Sequence, residues 1–201
     1  INRTEADGGL SITGLSSPGK ALTFKLDGSA LTVGTLPANA ALDGTWTLSF
    51  TRAELEALAI AGVPLKTLQV ISLESPGNEL LSDVVQFTID LTAPASAPVI
   101  GVPSVLSDNV FTTTDLPSTG TQAFLLSGTS TADTATVVLT LTGTASTIPS
   151  VVVTSTASNW SVPITLAQLN ALGQGALTVP AVGKTQEGNV SGASNTLAFT
   201  F

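Results

Sequence analysis

The sequence contains no cysteine, no histidine, no tyrosine and no methionine. Without Cys there is neither a disulfide nor a thiolate ligand. Without His the usual general base, the usual transition-metal ligand and every Ser/His/Asp mechanism fall away. Acid–base work would rest on Asp and Glu alone, and a bound metal would be a hard cation such as Ca²⁺, which takes oxygen ligands. Basic residues are also few, six against fourteen acidic ones, for a net charge of −8. Six scattered cations cannot line a phosphate backbone, which argues against nucleic-acid binding. An acidic domain repels anionic membranes and attracts cations. No apolar run reaches the ~18 residues of a helix that crosses a bilayer. The first residues carry no secretory leader pattern. A start without Met, in mid-pattern, is expected of a fragment of a longer polypeptide.

What the chain does contain is Leu, Val, Ile and Ala with much Thr, Ser and Gly; 43% of its 201 residues are apolar. That is enough for a real core and suits short strands joined by tight turns. The length fits one large all-β domain or two of about 100 residues.

An internal repeat decides between them. TWTLSFTRAELEAL (45–58) aligns without a gap on NWSVPITLAQLNAL (159–172), placing Trp46 on Trp160, 114 residues apart. Trp46, Leu48 and Phe50 alternate with polar residues, as do Trp160, Val162 and Ile164, which is the period of a strand with one buried face. The tryptophans are therefore expected in the core rather than on a ligand platform. Thr51-x-x-Glu54 and Thr165-x-x-Gln168 then read as capping boxes opening a short helix, whose leucines at i and i+3 face the core. ESPGN (74–78) matches TQEGN (185–189), each a hairpin turn in which Gly and Asn tolerate positive φ. The closing strands alternate through Val85, Phe87 and Ile89 and through Leu197, Phe199 and Phe201. Setting Ile1 on Phe111 puts Glu5 on Asp115, each acid followed by a Gly-containing turn. The second copy has additional sequence, PVIGVPSVLSDNV (98–110), ahead of this match, so the first copy is expected to lack its first strand.

The expected fold is all-β: two tandem Ig-like β-sandwich domains in an elongated arrangement, 1–92 and 93–201, meeting at LTAP. Strands are expected near 10–16, 21–27, 30–36, 45–50, 65–73 and 80–90, then 98–106, 122–130, 135–143, 150–156, 159–164, 176–182 and 194–201.

Four elements occur in a particular order: DNVFTTTD (108–115), GTWTLSFTRAELEAL (44–58), GNVS (188–191) and FTIDLTAP (87–94). Together they resemble the tandem bacterial Ig-like repeats of giant, type I-secreted, biofilm-associated surface adhesins. The resemblance covers both domains. It departs at Leu91, where the linker of such repeats carries Thr, and at Glu74 and Gln186 before the Gly-Asn turns. It implies a stiff extracellular stalk on a bacterial cell surface, without catalysis. The implied partners are neighbouring repeats of the same chain, and any adhesive ligand would be bound elsewhere in the parent protein. Membrane insertion is not implied. It also implies Ca²⁺ near the domain joints.

No contiguous D-x-D-x-D-G loop exists, so a calcium site would be assembled from separate segments. In an Ig-type sandwich the end of the last strand and the turn after the first lie at one pole, which brings Glu5 and Asp90 together as candidate metal ligands. Asp133 and Glu187 are possible further ligands, and the repeat makes Asp108 and Asp115 the matching pair of the second domain. The alternative is that these acids cap turns. Asp27-Gly28 and Asp43-Gly44 read as hairpin turns, Glu54 as a capping acid and Glu56 as an exposed helix residue. Two other functions compete with the stalk. A ligand- or carbohydrate-binding Ig-like module would want exposed aromatics, and two Trp and seven Phe are all the chain holds. A glycoside-cleaving carboxylate pair would want a recognisable context and stacking aromatics, which are lacking.

The rod reading makes a direct prediction. With a short linker stiffened by Pro94 and Pro98, small-angle scattering in millimolar Ca²⁺ should show a stiff, extended pair; a freely jointed profile would contradict it.

Overall fold

The computed structural model describes residues 1–60, 64–116 and 122–201. The chain divides into two compact units, Ile1–Thr92 and Ala93–Phe201, each a β-sandwich with its own core. The turn expected after Asp115, over 117–121, lies outside the described residues.

Unit 1 runs α1 (Arg3–Asp7), β1 (Leu10–Leu15), β2 (Ala21–Leu26), β3 (Ser29–Ala30), β4 (Thr45–Phe50), α2 (Arg52–Ile60), β5 (Leu65–Ser75), β6 (Asn78–Leu81) and β7 (Val85–Thr88). β1 and β4 form one antiparallel sheet; in the other, β2, β6 and β7 pair with β5, and β3 pairs with β2. Unit 2 runs β8 (Val99–Ile100), β9 (Gln122–Thr129), β10 (Thr136–Thr142), β11 (Thr147–Thr154), β12 (Asn159–Thr165), α3 (Leu166–Leu172), β13 (Ala176–Val179), β14 (Ala181–Lys184), β15 (Val190–Ala193) and β16 (Leu197–Thr200), with 3-10 turns at Ser104–Leu106 and Thr113–Asp115. Its sheets are β12-β9-β8 and, around β10, β11 with β13 to β16.

Alternation places the core as expected. Leu22, Phe24 and Leu26 of β2 face inward, as do Val137, Leu139 and Leu141 of β10. Leu55 of α2 and Leu169 and Leu172 of α3 are fully buried. Both capping boxes form. The Thr165 hydroxyl accepts from Gln168 N at 3.2 Å while Gln168 Oε1 accepts from Thr165 N at 2.8 Å. Glu54 Oε2 accepts from Thr51 N at 2.8 Å.

Each tryptophan sits directly across a strand pair from a glycine, Trp46 from Gly14 and Trp160 from Gly128. A Cβ on Gly14 would lie 2.1 Å from Trp46 Cζ2, and one on Gly128 would lie 2.4 Å from Trp160 Cζ2. Only a residue without a side chain lets the indole lie over its neighbour's backbone. Trp160 is 3% exposed. Trp46 is half-buried and meets Phe24 edge-on, with ring centroids 5.5 Å apart.

Several expected strands are interrupted. Residues 30–36 pair as a strand only over Ser29–Ala30; the chain then turns at Gly34 (φ +96°) and Thr35 crosses to bridge Ser49 of the opposite sheet. The span 80–90 is two strands, because Ser82 bends away and its hydroxyl accepts from Val70 N at 2.9 Å. Ser194 does the same for Ala181 N at 2.8 Å, splitting 194–201 from β15. Pro180, with no N–H, divides 176–182, and 98–106 holds a strand only at Val99–Ile100. In unit 1 the closing alternation is only partly inward: Ile89 is buried but Val85 is 52% exposed. At the ESPGN turn the left-handed residue is Gly77, while Asn78 begins β6. At TQEGN it is Gly188, and Asn189 is buried. α1 is a helix where the apolar pattern predicts none.

The tightest of these contacts yields a test. A Gly128 Cβ would also fall 2.0 Å from the Val99 carbonyl oxygen, and backbone yields less readily than a side chain. Gly128→Ala should destabilise unit 2 by about 1–3 kcal/mol, read from urea unfolding followed by Trp160 fluorescence in a Trp46→Phe background.

Candidate functional site

Each of the four expected metal ligands has a local partner in the structure. Glu5 occupies the third position of α1. Its Oε2 accepts from Asn2 N at 2.9 Å, and Asn2 Oδ1 accepts from Glu5 N at 2.9 Å, a complete capping box. Asp115 holds the same position in a 3-10 turn, where its Oδ2 accepts from Thr112 N at 2.7 Å and from the Thr112 hydroxyl at 2.9 Å. The two acids matched by the repeat thus play one structural role. Asp90 Oδ1 accepts from Thr92 N at 2.9 Å. Asp108 Oδ1 accepts from Val110 N at 3.0 Å beside Asn109, which is left-handed at φ +61°.

Asp90 and the start of the chain are brought together through backbone, since Asp90 N donates to Ile1 O at 3.0 Å. The cleft beside Asp90 is lined by Arg3, Glu56, Pro64, Leu91 and Thr92; Glu5 is not among its described lining residues. Asp133 Oδ2 accepts from Ala95 N at 3.0 Å within unit 2, and Glu187 is exposed. Among the described residues no three acids gather at metal-binding spacing. The donors are of the type Ca²⁺ takes, but one oxygen of each of the four carboxylates already accepts from backbone. A cation there would have to use their second oxygens and main-chain carbonyls.

Other acids do more than the sequence reading assigned them. Asp27 (φ +51°) and Gly28 make the β2–β3 turn as expected. Asp27 Oδ1 also accepts from Thr67 N at 2.8 Å, and its Oδ2 stands 3.6 Å from the ammonium of Lys66, a buried lysine in β5. Glu54 adds a bond from Gly34 N at 3.0 Å, so one carboxylate caps α2 and pins the bend at Gly34. The Glu74 carboxylate accepts from the Ser72 hydroxyl at 2.7 Å. Asp43 accepts from the hydroxyl and N–H of Thr45. Arg52 pairs with Asp7 and, at 2.8 Å, with Glu56, tying α1 to α2.

These bonds hold several carboxyls below their ordinary range. The causes are the Thr67 N–H for Asp27, the Thr45 hydroxyl for Asp43, the Thr51 N–H for Glu54 and the Ser72 hydroxyl for Glu74. In unit 2 the Thr131 hydroxyl does this for Asp133. A lowered folded pKa contributes stability that is present above the ordinary value and lost as pH falls through the lowered one. Unit 1 holds four of these five groups. Unit 1 should therefore lose more stability than unit 2 as pH drops from 4.5, the ordinary glutamate value, toward the lowered aspartate values. All five sit at the surface, where solvent screens them and keeps the effect modest. Acid titration of the thermal unfolding of Trp46→Phe and Trp160→Phe chains checks the order.

No known protein family's sequence profile matches the chain, and no curated protein matches it. Among the described residues no helix is long and apolar enough to cross a membrane. Solved structures with a similar arrangement include a region of a 1.5-MDa bacterial ice-binding adhesin, 20% identical, with a TM-score of 0.45. That likeness covers 100% of this chain, which spans only 59% of the adhesin chain. The fibronectin(III)-like modules of Clostridium thermocellum CbhA are 13% identical over 94% of this chain and 84% of theirs, with a TM-score of 0.47. A tetra-tandem repeat from the extending region of a large adhesion protein is 19% identical over 98% of this chain and 46% of its own, with a TM-score of 0.35. The sandwich assignment rests on the paired sheets and the two cores.

Proposed function

We propose that the chain is a structural spacer, a repeat segment of a large bacterial cell-surface adhesin that serves cell adhesion or biofilm formation. On this reading it works outside the cell, its partners are neighbouring Ig-like repeats of the same polypeptide, and it carries out no reaction. One observation carries the reading: the same sandwich occurs twice in 201 residues, with the same Trp-over-Gly contact and the same capped helix. A spacer needs repetition of a stable unit, and the acids that chemistry would use are spent here on caps and turns.

Ca²⁺ is proposed as the structural cation, with Glu5, Asp90, Asp108 and Asp115 contributing oxygens. The carboxylate surplus supports it, and so do the second oxygens of the capping acids. Glu5→Gln separates the two roles of Glu5, because Gln168 shows that glutamine completes such a box in this chain. Calcium at ~100 times its Kd would add about 2.7 kcal/mol to the unit that binds it, which is worth roughly 10–20 °C in a domain of this size. The unfolding temperature should rise in Ca²⁺ relative to EGTA. The rise of unit 1 should be lost in Asp90→Asn and reduced in Glu5→Gln, with the EGTA baseline kept. No calcium-dependent shift in the parent chain would sink the cation while leaving the spacer reading standing; a glycan array with specific hits would sink the spacer reading.

A further inference from the structure

In unit 2 the sheet of β9 and β12 has a third strand. Val99 and Ile100 of β8 pair with Thr129 and Gly128, and Gly101 N donates to Ser127 O at 2.9 Å. The Asn195 amide clamps this strand from the connection between β15 and β16: Oδ1 accepts from Ile100 N at 2.8 Å and Nδ2 donates to Ile100 O at 3.0 Å. Pro98 Cγ lies 3.4 Å from the Cβ position of Gly183. Ile100 and Leu106 from this segment enter the core.

The repeat gives the residues that surround β8 counterparts in unit 1. Gly14 and Trp46 stand for Gly128 and Trp160, so Leu15 stands for Thr129. Ser82 and Ser194 make the same bond to Val70 N and Ala181 N, so Ser72 stands for Gly183 and Asp83 for Asn195. Among the described residues nothing pairs with the outer edge of β1. In its place is a cleft of about 200 Å³ lined by Leu15, Ser16, Trp46, Ser72, Leu80 and Ser82. Four of these are counterparts of residues that touch or flank β8. Leu15 beside it is 78% exposed. The Trp46 Nε1–H is buried with no partner, whereas Trp160 Nε1–H donates to Thr129 O at 3.2 Å.

We propose that this cleft seats an extended strand of β8's chemistry, a proline followed by two apolar residues and a glycine. The strand lies antiparallel along β1 and is carried on the same polypeptide ahead of Ile1. The direction of entry favours that source: Ile1 N donates to Thr88 O as Phe111 N donates to Thr200 O, so a chain leading into Ile1 arrives where 98–110 leads into Phe111. Main-chain pairing supplies the attachment and the cleft selects the side chains, the mode in which a strand is added to a sheet edge. The added strand fixes Leu15 as β8 fixes Thr129, bringing the Leu15 carbonyl to the waiting indole N–H. Asp83 keeps only the accepting half of the Asn195 clamp, so unit 1 holds its strand less firmly than unit 2. The proposal rests on the internal repeat and is independent of the adhesin reading.

The test fuses a copy of residues 98–110 ahead of Ile1 in the full chain. Two tryptophans give two indole N–H resonances, assigned with Trp46→Phe. The Trp46 resonance should move downfield and its hydrogen exchange should slow by about tenfold or more, with Trp160 unchanged as the internal control of folding. Asp83→Asn should slow it further, and the same fusion with aspartates in place of its Val-Ile pair should not slow it. Equal Trp46 exchange in the apolar and aspartate fusions would overturn the proposal. So would sedimentation showing that the unfused chain pairs with itself and protects Trp46 as concentration rises, because a second copy would then be the occupant.

Discussion

The contact on which both sandwiches depend is an indole lying across a glycine. The tryptophan on β4 or β12 lies flat across its cross-strand neighbour, in a pose that leaves no room there for a Cβ. The absence of a Cβ at Gly14 and Gly128 lets the ring lie over the neighbouring backbone, and that fixes the register of β1 against β4 and of β9 against β12. A slip by one residue would turn every alternating apolar side chain outward. Once the register is set, Leu48 and Phe50, or Val162 and Ile164, follow inward, and the capped helix after each strand delivers Leu55 or Leu169 onto the same core.

The acids serve this architecture at its edges. Glu5, Glu54 and Asp115 each close a capping box, and Glu54 also holds the bend at Gly34. Asp27 grips β5 through Thr67 and faces the ammonium of a buried lysine. In a chain with few cations, most of the partners of these acids are backbone N–H groups. The surplus of negative charge is therefore distributed among local jobs, and a cation would have to be added to them rather than replace them.

Much of this was legible in residues that act locally. T-x-x-E and T-x-x-Q specify a cap from four residues, Asp27-Gly28 specifies a two-residue turn, and Trp-x-Leu-x-Phe specifies one buried face. The same rule applied to Asn2-x-x-Glu5 specifies α1, with Glu5 as its capping acid. The strand interruptions were harder to read. Ser82 and Ser194 look like ordinary surface serines until the bend turns each hydroxyl toward the N–H of a strand 12 or 13 residues earlier. Residues 30–36 keep a strand-like composition while passing from one sheet to the other.

The sequence by itself determined the repeat, the all-β class, the tryptophan cores and the exclusion of histidine and thiolate chemistry, because each depends on residue identity and short spacing. Only the tertiary structure decided what the carboxylates bond, why Lys66 can be buried, and that, among the described residues, nothing pairs with the outer edge of β1 where the edge of β9 is covered. Those depend on which groups meet across sheets, between residues tens of positions apart, and no local pattern encodes that meeting.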